Sequence, residues 1–380
     1  MAIPFLSPEG RDRLQAFVDR SPPETAYWRR AQIVLMVDQG RTPEAIASEL
    51  ELPINRVRQF MRAFDRQGLQ LFPATVLEPE PVFDPDESID TGAREIISQA
   101  LAQVEEHTAA LETEIDPTSV HETRKAIRRL RTATRLFAPY FEQGLLAGYR
   151  RRLRKAMRRM ARSRDATVFL EALESNRQLM GLTADEAAAL DRLAEFWQER
   201  RQAADDALRA YLTKGKYQQI LAELADFCAG DAEGALAQED GPSKVRHVAP
   251  VLLARQVAQL RMHENAVAAG QPKQLHTVRI QAKELRYAIE FFEPAIGPAI
   301  AEPLAVVRDL LAHLGAINDA RVHLRMLGES REAGLVAAAE LYEPALEMTL
   351  RRLLNELPAL WDAFDQPVWR RQLATAVAVL

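Results

Sequence analysis

The residues with chemistry to offer crowd into one stretch, His121 to Arg164. It holds fifteen Lys and Arg against two acids, Glu122 and Glu142, for a local charge of +13. The whole chain is −5, so the remaining residues carry −18. An acidic chain that packs its positive charge in this way is suited to a polyanionic partner. At about 100° per residue, His121, Arg124, Arg128, Arg131 and Arg135 fall on one helix face. Val120, Ile127, Leu130, Ala133, Thr134 and Phe137 fall on the other. Arg151, Arg154, Lys155, Arg158 and Arg162 share a face of the next segment, opposite Leu153, Ala156, Met157 and Met160. Two antiparallel helices so patterned bury their apolar sides and line a groove with guanidinium groups. Their planar forks suit pairs of phosphate oxygens.

Other chemistries lack their residues. His121 and His276 share their faces with arginines, which repel a metal cation. There is no His-Glu-x-x-His, no cysteine pair, no Walker-type glycine loop and no Gly-x-Ser-x-Gly. No catalytic residue, metal ligand or cofactor is therefore assigned. A histidine among arginines instead donates a hydrogen bond to phosphate or orients a neighbour. Clustered cations depress its pKa, which predicts tighter binding on mild acidification.

The pattern recurs 155 residues on. Pro117 maps to Pro272, His121 to His276, Arg124 to Arg279, Arg128 to Lys283, Leu130 to Leu285, Arg131 to Arg286, Ala133 to Ala288, Phe137 to Phe292 and Pro139 to Pro294. Arg164-Asp165 is answered by Asn318-Asp319 at an offset of 154. The chain thus contains a duplicated helical unit. Two copies of His-x-x-Arg-x-x-x-Arg/Lys-x-x-Arg, each followed by a basic or mixed helix and an Arg/Asn-Asp dipeptide, resemble the CHAD (conserved histidine α-helical domain) family. The likeness covers about residues 88–365.

That resemblance implies two four-helix units related by a pseudo-twofold axis, with a basic central channel or face. It implies binding of inorganic polyphosphate and no catalytic activity, so the protein is expected not to be an enzyme. The ligand residues would be His121, Arg124, Arg128, Arg131, Arg151, Arg154, Lys155 and Arg158 in the first unit. In the second they would be His276, Arg279, Lys283, Arg286 and Arg308. Phosphate or sulfate would occupy the same site, and polyphosphate granules are an expected location. The second unit is less basic: Glu284 stands for Arg129 and Glu290 for Arg135, and 302–314 offers only Arg308.

The elements that must position these residues read as all-α. Strand-like alternation is rare, and 47% apolar residues supply a sizeable core. A lone cysteine, Cys228, suits a reducing cytoplasm. No apolar run reaches the roughly 20 residues that span a bilayer, and the opening residues lack the pattern of a secretory signal.

Residues 1–72 form a small helical domain resembling a helix-turn-helix. Asn55, Arg56, Arg58, Gln59 and Arg62 on its fourth helix, Ile54–Gln67, are the candidate DNA contacts. The alternative function is therefore a DNA-binding regulator whose basic bundle senses phosphate or another polyanion. Residues 73–90 are a proline- and acid-rich linker. Residues 91–365 hold the duplicated domain, with units at about 91–230 and 243–360 and a hinge at 232–242 between them. The tail 366–380 packs on the bundle or mediates a dimer.

Within the first unit, a helix at Thr91–Glu114 packs behind the first basic helix. That basic helix starts at Asp116-Pro117 or a Ser119–Glu122 capping box and ends at Pro139. Asp165 caps a helix Ala166–Met180 and holds an arginine, Thr183–Glu186 is a capping box, and Asp319 starts a helix.

Overall fold

The computed structural model describes residues 6–20, 26–50, 52–72, 84–230 and 243–380. Among them helices dominate, and the β pairing is an isolated bridge. The chain divides into two compact units, Met1–Phe83 with Glu293–Ala301, and Asp84–Phe292 with Glu302–Leu380. Most of the expected linker (73–83) and the expected hinge (232–242) lie outside the described residues.

The small unit contains α1 (Pro8–Arg20), α2 (Ala26–Asp38), α3 (Pro43–Glu49) and α4 (Ile54–Gln67), followed by a 3-10 turn at Gly68–Leu71. The Thr42 side chain accepts from Ala45 N at 3.3 Å and caps α3, with Pro43 at the first position, where its missing N–H is harmless. Gly68 ends α4 at φ 56, a conformation that favours glycine. α2 is apolar on two sides and joins two small cores. Val34 and Leu35 meet Leu14, Phe17, Phe64 and Phe72, while Ile33 and Met36 meet Ile46 and Val57.

The large unit is two copies of one helical plan. The first runs α5 (Ile89–Thr113), α6 (Pro117–Leu136), α7 (Leu145–Arg177), α8 (Ala184–Leu212) and α9 (Lys216–Ala229). The second runs α10 (Val245–Arg261), the short α11 (Glu264–Ala269), α12 (Pro272–Ile296), α13 (Ala301–Glu332), α14 (Val336–Asp365) and α15 (Pro367–Val377). Among the described residues the first copy has one helix beyond the four that the resemblance implies, α9, and the second has two, the short α11 and α15. α9 packs on α5, α7 and α8. α15, from the expected tail, is anchored by buried Trp369, whose Nε1 donates to Pro303 O at 3.0 Å.

Local signals set the helix ends. The Asp116 side chain accepts from Thr118 N (2.7 Å) and Ser119 N (3.1 Å), and Ser119 Oγ accepts from Asp116 N (3.2 Å). The capping box is therefore Asp116/Ser119, not Ser119/Glu122. α6 ends at Leu136, and Pro139 lies beyond it in a 3-10 turn. The Thr183/Glu186 box opens α8 as the sequence predicts.

The expected breaks at Asp165 and Asp319 are corrected: α7 and α13 run through both without interruption. No Gly or Pro adjoins either residue. The apolar stripe continues through Ala166, Phe169 and Leu173 into a core, and a continuous buried face outweighs one residue's capping preference.

Counterparts from the two copies touch at three levels. Ser88 and Lys244 form the isolated antiparallel bridge, with Ile89 N donating to Ser243 O (2.7 Å) and Val245 N to Glu87 O (3.0 Å). Phe137 and Phe292 meet edge to face at 6.1 Å. Phe169 and His323 do the same at 5.4 Å. Under a local twofold, only residues near the axis can touch their own counterparts, so these contacts trace it. Around the axis α7, α8, α13 and α14 share one core, in which Phe169, Leu193 and Trp197 pack with Leu327, Tyr342 and Leu346. Trp197 Nε1 donates to Ser330 Oγ at 2.9 Å, and Asn176 Nδ2 to Tyr342 Oη at 3.1 Å. Each copy supplies half of this core.

Candidate functional site

α6 packs its apolar side on α5, with Thr123 Oγ1 donating to His107 O at 3.0 Å. That leaves its basic face for α7 and α12. Arg124 is largely buried there, 3.4 Å from Met160 O and 3.7 Å from Asp165, both on α7. Burial lowers its pKa to about 10, opposed by Asp165 and reinforced by Arg128, Arg164 and Arg279. Its counterpart Arg279 is lowered by burial and opposed by Asp319. Asp165 is raised by burial, with Arg124 opposing. Asp165 therefore holds an arginine from inside a helix rather than capping one.

The Lys283 ammonium is pushed further from its ordinary value than the Arg124 guanidinium. Lys283 occupies the position of Arg128 in the second copy. Burial first, then Arg128, Arg279, Arg124 and Arg286, push its ammonium down to about 6. Arg131 is lowered by burial and by Arg154, Arg135, Arg150 and Arg128. Nε of Arg131, Arg279 and Arg286 is buried without a hydrogen-bond partner among the described residues. The basic groups Arg124, Arg128, Arg279 and Lys283 thus act on one another with two carboxylates, Asp165 and Asp319, among them, and Arg131 joins them through Arg128.

Other arginines of the motif helices are neutralised by carboxylates from the second copy. Arg129 pairs with Glu290 at 3.4 Å and Arg135 with Glu284. Position 290 is the counterpart of 135, and 284 of 129, so both pairs are one contact viewed from either side of the axis. The first copy supplies arginine twice and the second glutamate twice. The acids that thin the second basic face are therefore its links to the first. Glu290 also takes Arg308 at 3.1 Å and Arg286 at 3.8 Å. The signal was in the sequence, as opposite charges at mapped positions, but pairing required the helices to be placed.

Arg151, Arg154 and Arg158 are exposed on α7, with Arg154 acting on Arg131. Lys155 turns toward α8, its Nζ 5.8 Å over the Tyr211 ring. His121 and His276 are exposed. His121 Nε2 lies 3.9 Å from Glu122, and partial burial followed by Arg164 lowers its pKa. The structure therefore gathers Arg124, Arg128, Arg131, Arg154, Arg279, Lys283 and Arg286, and leaves the histidines at the surface.

In the small unit α3 and α4 pack together. Asn55 and Arg62 are exposed, and Arg58 is ion-paired with Glu44 of α3 at 2.6 Å. The side chains of Arg56 and Gln59 lie outside the described residues.

Fold and site define an all-α protein of two copied helical units with cations gathered between their motif helices. The family model of the CHAD domain matches residues 95–328, and the chain belongs to the CHAD family. Two solved structures share the fold. The CHAD domain from the plant Ricinus communis has a TM-score of 0.54 at 20% identity, covering 78% of this chain and 94% of that one. PptA from Streptomyces chartreusis has a TM-score of 0.57 at 15% identity, covering 73% and 100% respectively. No curated protein matches the sequence. Among the described residues no helix is long and apolar enough to cross a membrane.

Proposed function

We propose that the protein binds inorganic polyphosphate in the groove between α6 and α12, holding successive phosphates without cleaving them. The observation that carries this reading is the interior cationic cluster, in which Arg124, Arg128, Arg279 and Lys283 face the counter-charges Asp165 and Asp319 while Glu290 reaches Arg286 at its edge. Like charges buried together oppose folding unless a ligand offsets them. Here burial first, and neighbouring cations after it, lower the pKa values of Arg124, Arg131, Arg279 and Lys283. A phosphate chain offsets these charges at several points, because α6 repeats its guanidinium groups at about one helical turn. Each fork donates two hydrogen bonds, and displaced counterions make the affinity salt-dependent. Membership of the CHAD family supports the same ligand.

The test is Arg128→Ala with Arg131→Ala. Polyphosphate affinity should fall at least tenfold, since one hydrogen bond to a charged group contributes about 1.5–3 kcal/mol. The melting temperature of the free protein should rise, because two repelling cations are gone. Unchanged affinity, or a lowered melting temperature, would overturn the assignment. Orthophosphate release from polyphosphate with Mg²⁺ would overturn its non-catalytic part.

A further inference from the structure

Where α7, α8 and α13 meet, a cavity of about 440 Å³ opens beside the central core. Four guanidinium groups line it, from Arg159, Arg162, Arg200 and Arg325, with carboxylates from Asp165 and Glu329. Two of the four are committed. Arg159 donates to Ala207 O at 3.3 Å and lies over Tyr211. Arg200 pairs with Glu329 at 3.4 Å and lies over Phe196. Asp165 is drawn to Arg124 at 3.7 Å. Arg162 and Arg325 remain, both exposed and without a hydrogen bond or close ion pair among the described residues, although Arg325 acts on Asp165 across the cavity after Arg124. The rest of the lining is apolar, with Ala203, Ala204 and Ala207 on α8 and Met326 on α13.

The duplicated plan shows that packing does not demand this cavity. Core residues of α8 and α14 correspond at an offset of 149, as in Leu193 with Tyr342 and Trp197 with Leu346. At that offset the three alanines become Arg352, Leu353 and Glu356. Leu353 is buried, and Arg352 is paired with Glu356 at 2.9 Å. At the offset of α7 and α13, Arg162 becomes Ala316 and Arg325 becomes Glu171. The cavity on this side of the axis therefore has both the small floor and the two exposed guanidinium groups, and the corresponding place on the other side has neither.

We infer that this cavity binds a nucleotide, with a phosphoryl group between Arg162 and Arg325 and the apolar body on the alanine floor. The fork geometry of two guanidinium groups with no hydrogen bond of their own suits phosphate. A mixed apolar and cationic lining suits an ester with a body, and the volume falls within the roughly 300–1,000 Å³ of small-molecule sites. A bare phosphate chain would gain nothing from the floor. The inference does not rest on polyphosphate binding in the α6–α12 groove.

The experiment is calorimetry on the full chain with ATP and, as the arm lacking a base, inorganic tripolyphosphate. ATP should bind at least tenfold more tightly than tripolyphosphate. Ala204→Leu with Ala207→Glu, which copies the opposite side, should weaken ATP at least tenfold and leave long-chain polyphosphate binding unchanged. Arg325→Glu is exposed and tests the same site should the double variant fail to fold; it too should weaken ATP at least tenfold. Absence of ATP binding, ATP no tighter than tripolyphosphate, or ATP affinity unchanged in Arg325→Glu would overturn the proposal.

Discussion

A lysine with its pKa at about 6 has lost its proton at pH 7.5. A polyanion brought beside Lys283 favours the charged form and raises that pKa. Binding therefore takes up a proton between the free and the bound value. The affinity so gained is fully present below about pH 6 and is lost as pH rises through the bound-state pKa. Calorimetry at pH 7.5 in buffers of different ionisation enthalpy should show about one proton taken up per site. Lys283→Met should remove most of that uptake, and Lys283→Arg should bind with a flatter pH profile; full uptake in Lys283→Met would shift the role to the histidines. The free protein behaves oppositely. Its unfolded chain holds the lysine proton to the ordinary value near 10.4, so folding stability rises with pH from about 6 upward. The sequence predicts the direction of the pH effect but assigns it to His121 and His276. Residue spacing places Lys283 and Arg128 at equivalent positions, and it is burial first, then the neighbouring arginines, that lowers the lysine.

Along the helices, the link between α6 and α12 rests on two crossed ion pairs of unequal exposure. Glu284 is 9% exposed while Arg135 is 48% exposed. Arg135→Ala leaves a buried carboxylate without its partner. The cost should be about 1–3 kcal/mol, below the 3–5 of a fully buried pair because solvent already reaches the arginine. Urea unfolding should show that loss, and Glu284→Gln added to Arg135→Ala should recover part of it. Arg135→Glu with Glu284→Arg should retain most of the native stability; a double variant no more stable than Arg135→Glu alone would remove the pair from the account. The all-α class and the duplication were legible at this scale, because the apolar periodicity and the mapped residues lie in the chain itself. The continuity of α7 and α13 was not. Asp165 and Asp319 are good caps in isolation, and only the core running past Phe169 and Leu327 shows why the helices go through them.

The core around the axis has consequences for the molecule as a whole. Residues 84–230 alone would expose Phe169, Leu173, Leu190 and Trp197, which are buried against the second copy. A freed apolar face of this kind seeks a partner, and a second identical fragment offers one. In such a homodimer Arg129 would meet Arg135 of the other fragment, at the positions now filled by Arg–Glu pairs. A homodimer of 243–380 would likewise set Glu284 against Glu290. Like charges held that close cost free energy, whereas the mixed pair joins arginine to glutamate at both crossings. The division of charge between the copies therefore favours the intramolecular pairing over either self-pairing. Co-expressed as separate chains, 84–230 and 243–380 should form a 1:1 complex by light scattering and recover polyphosphate binding. Each fragment alone should self-associate weakly and bind at least tenfold less tightly, because Arg124 and Lys283 come from different halves of one cluster. A stable, monomeric 84–230 fragment that binds polyphosphate as tightly as the full chain would show that the first copy suffices and that the axis is not the site.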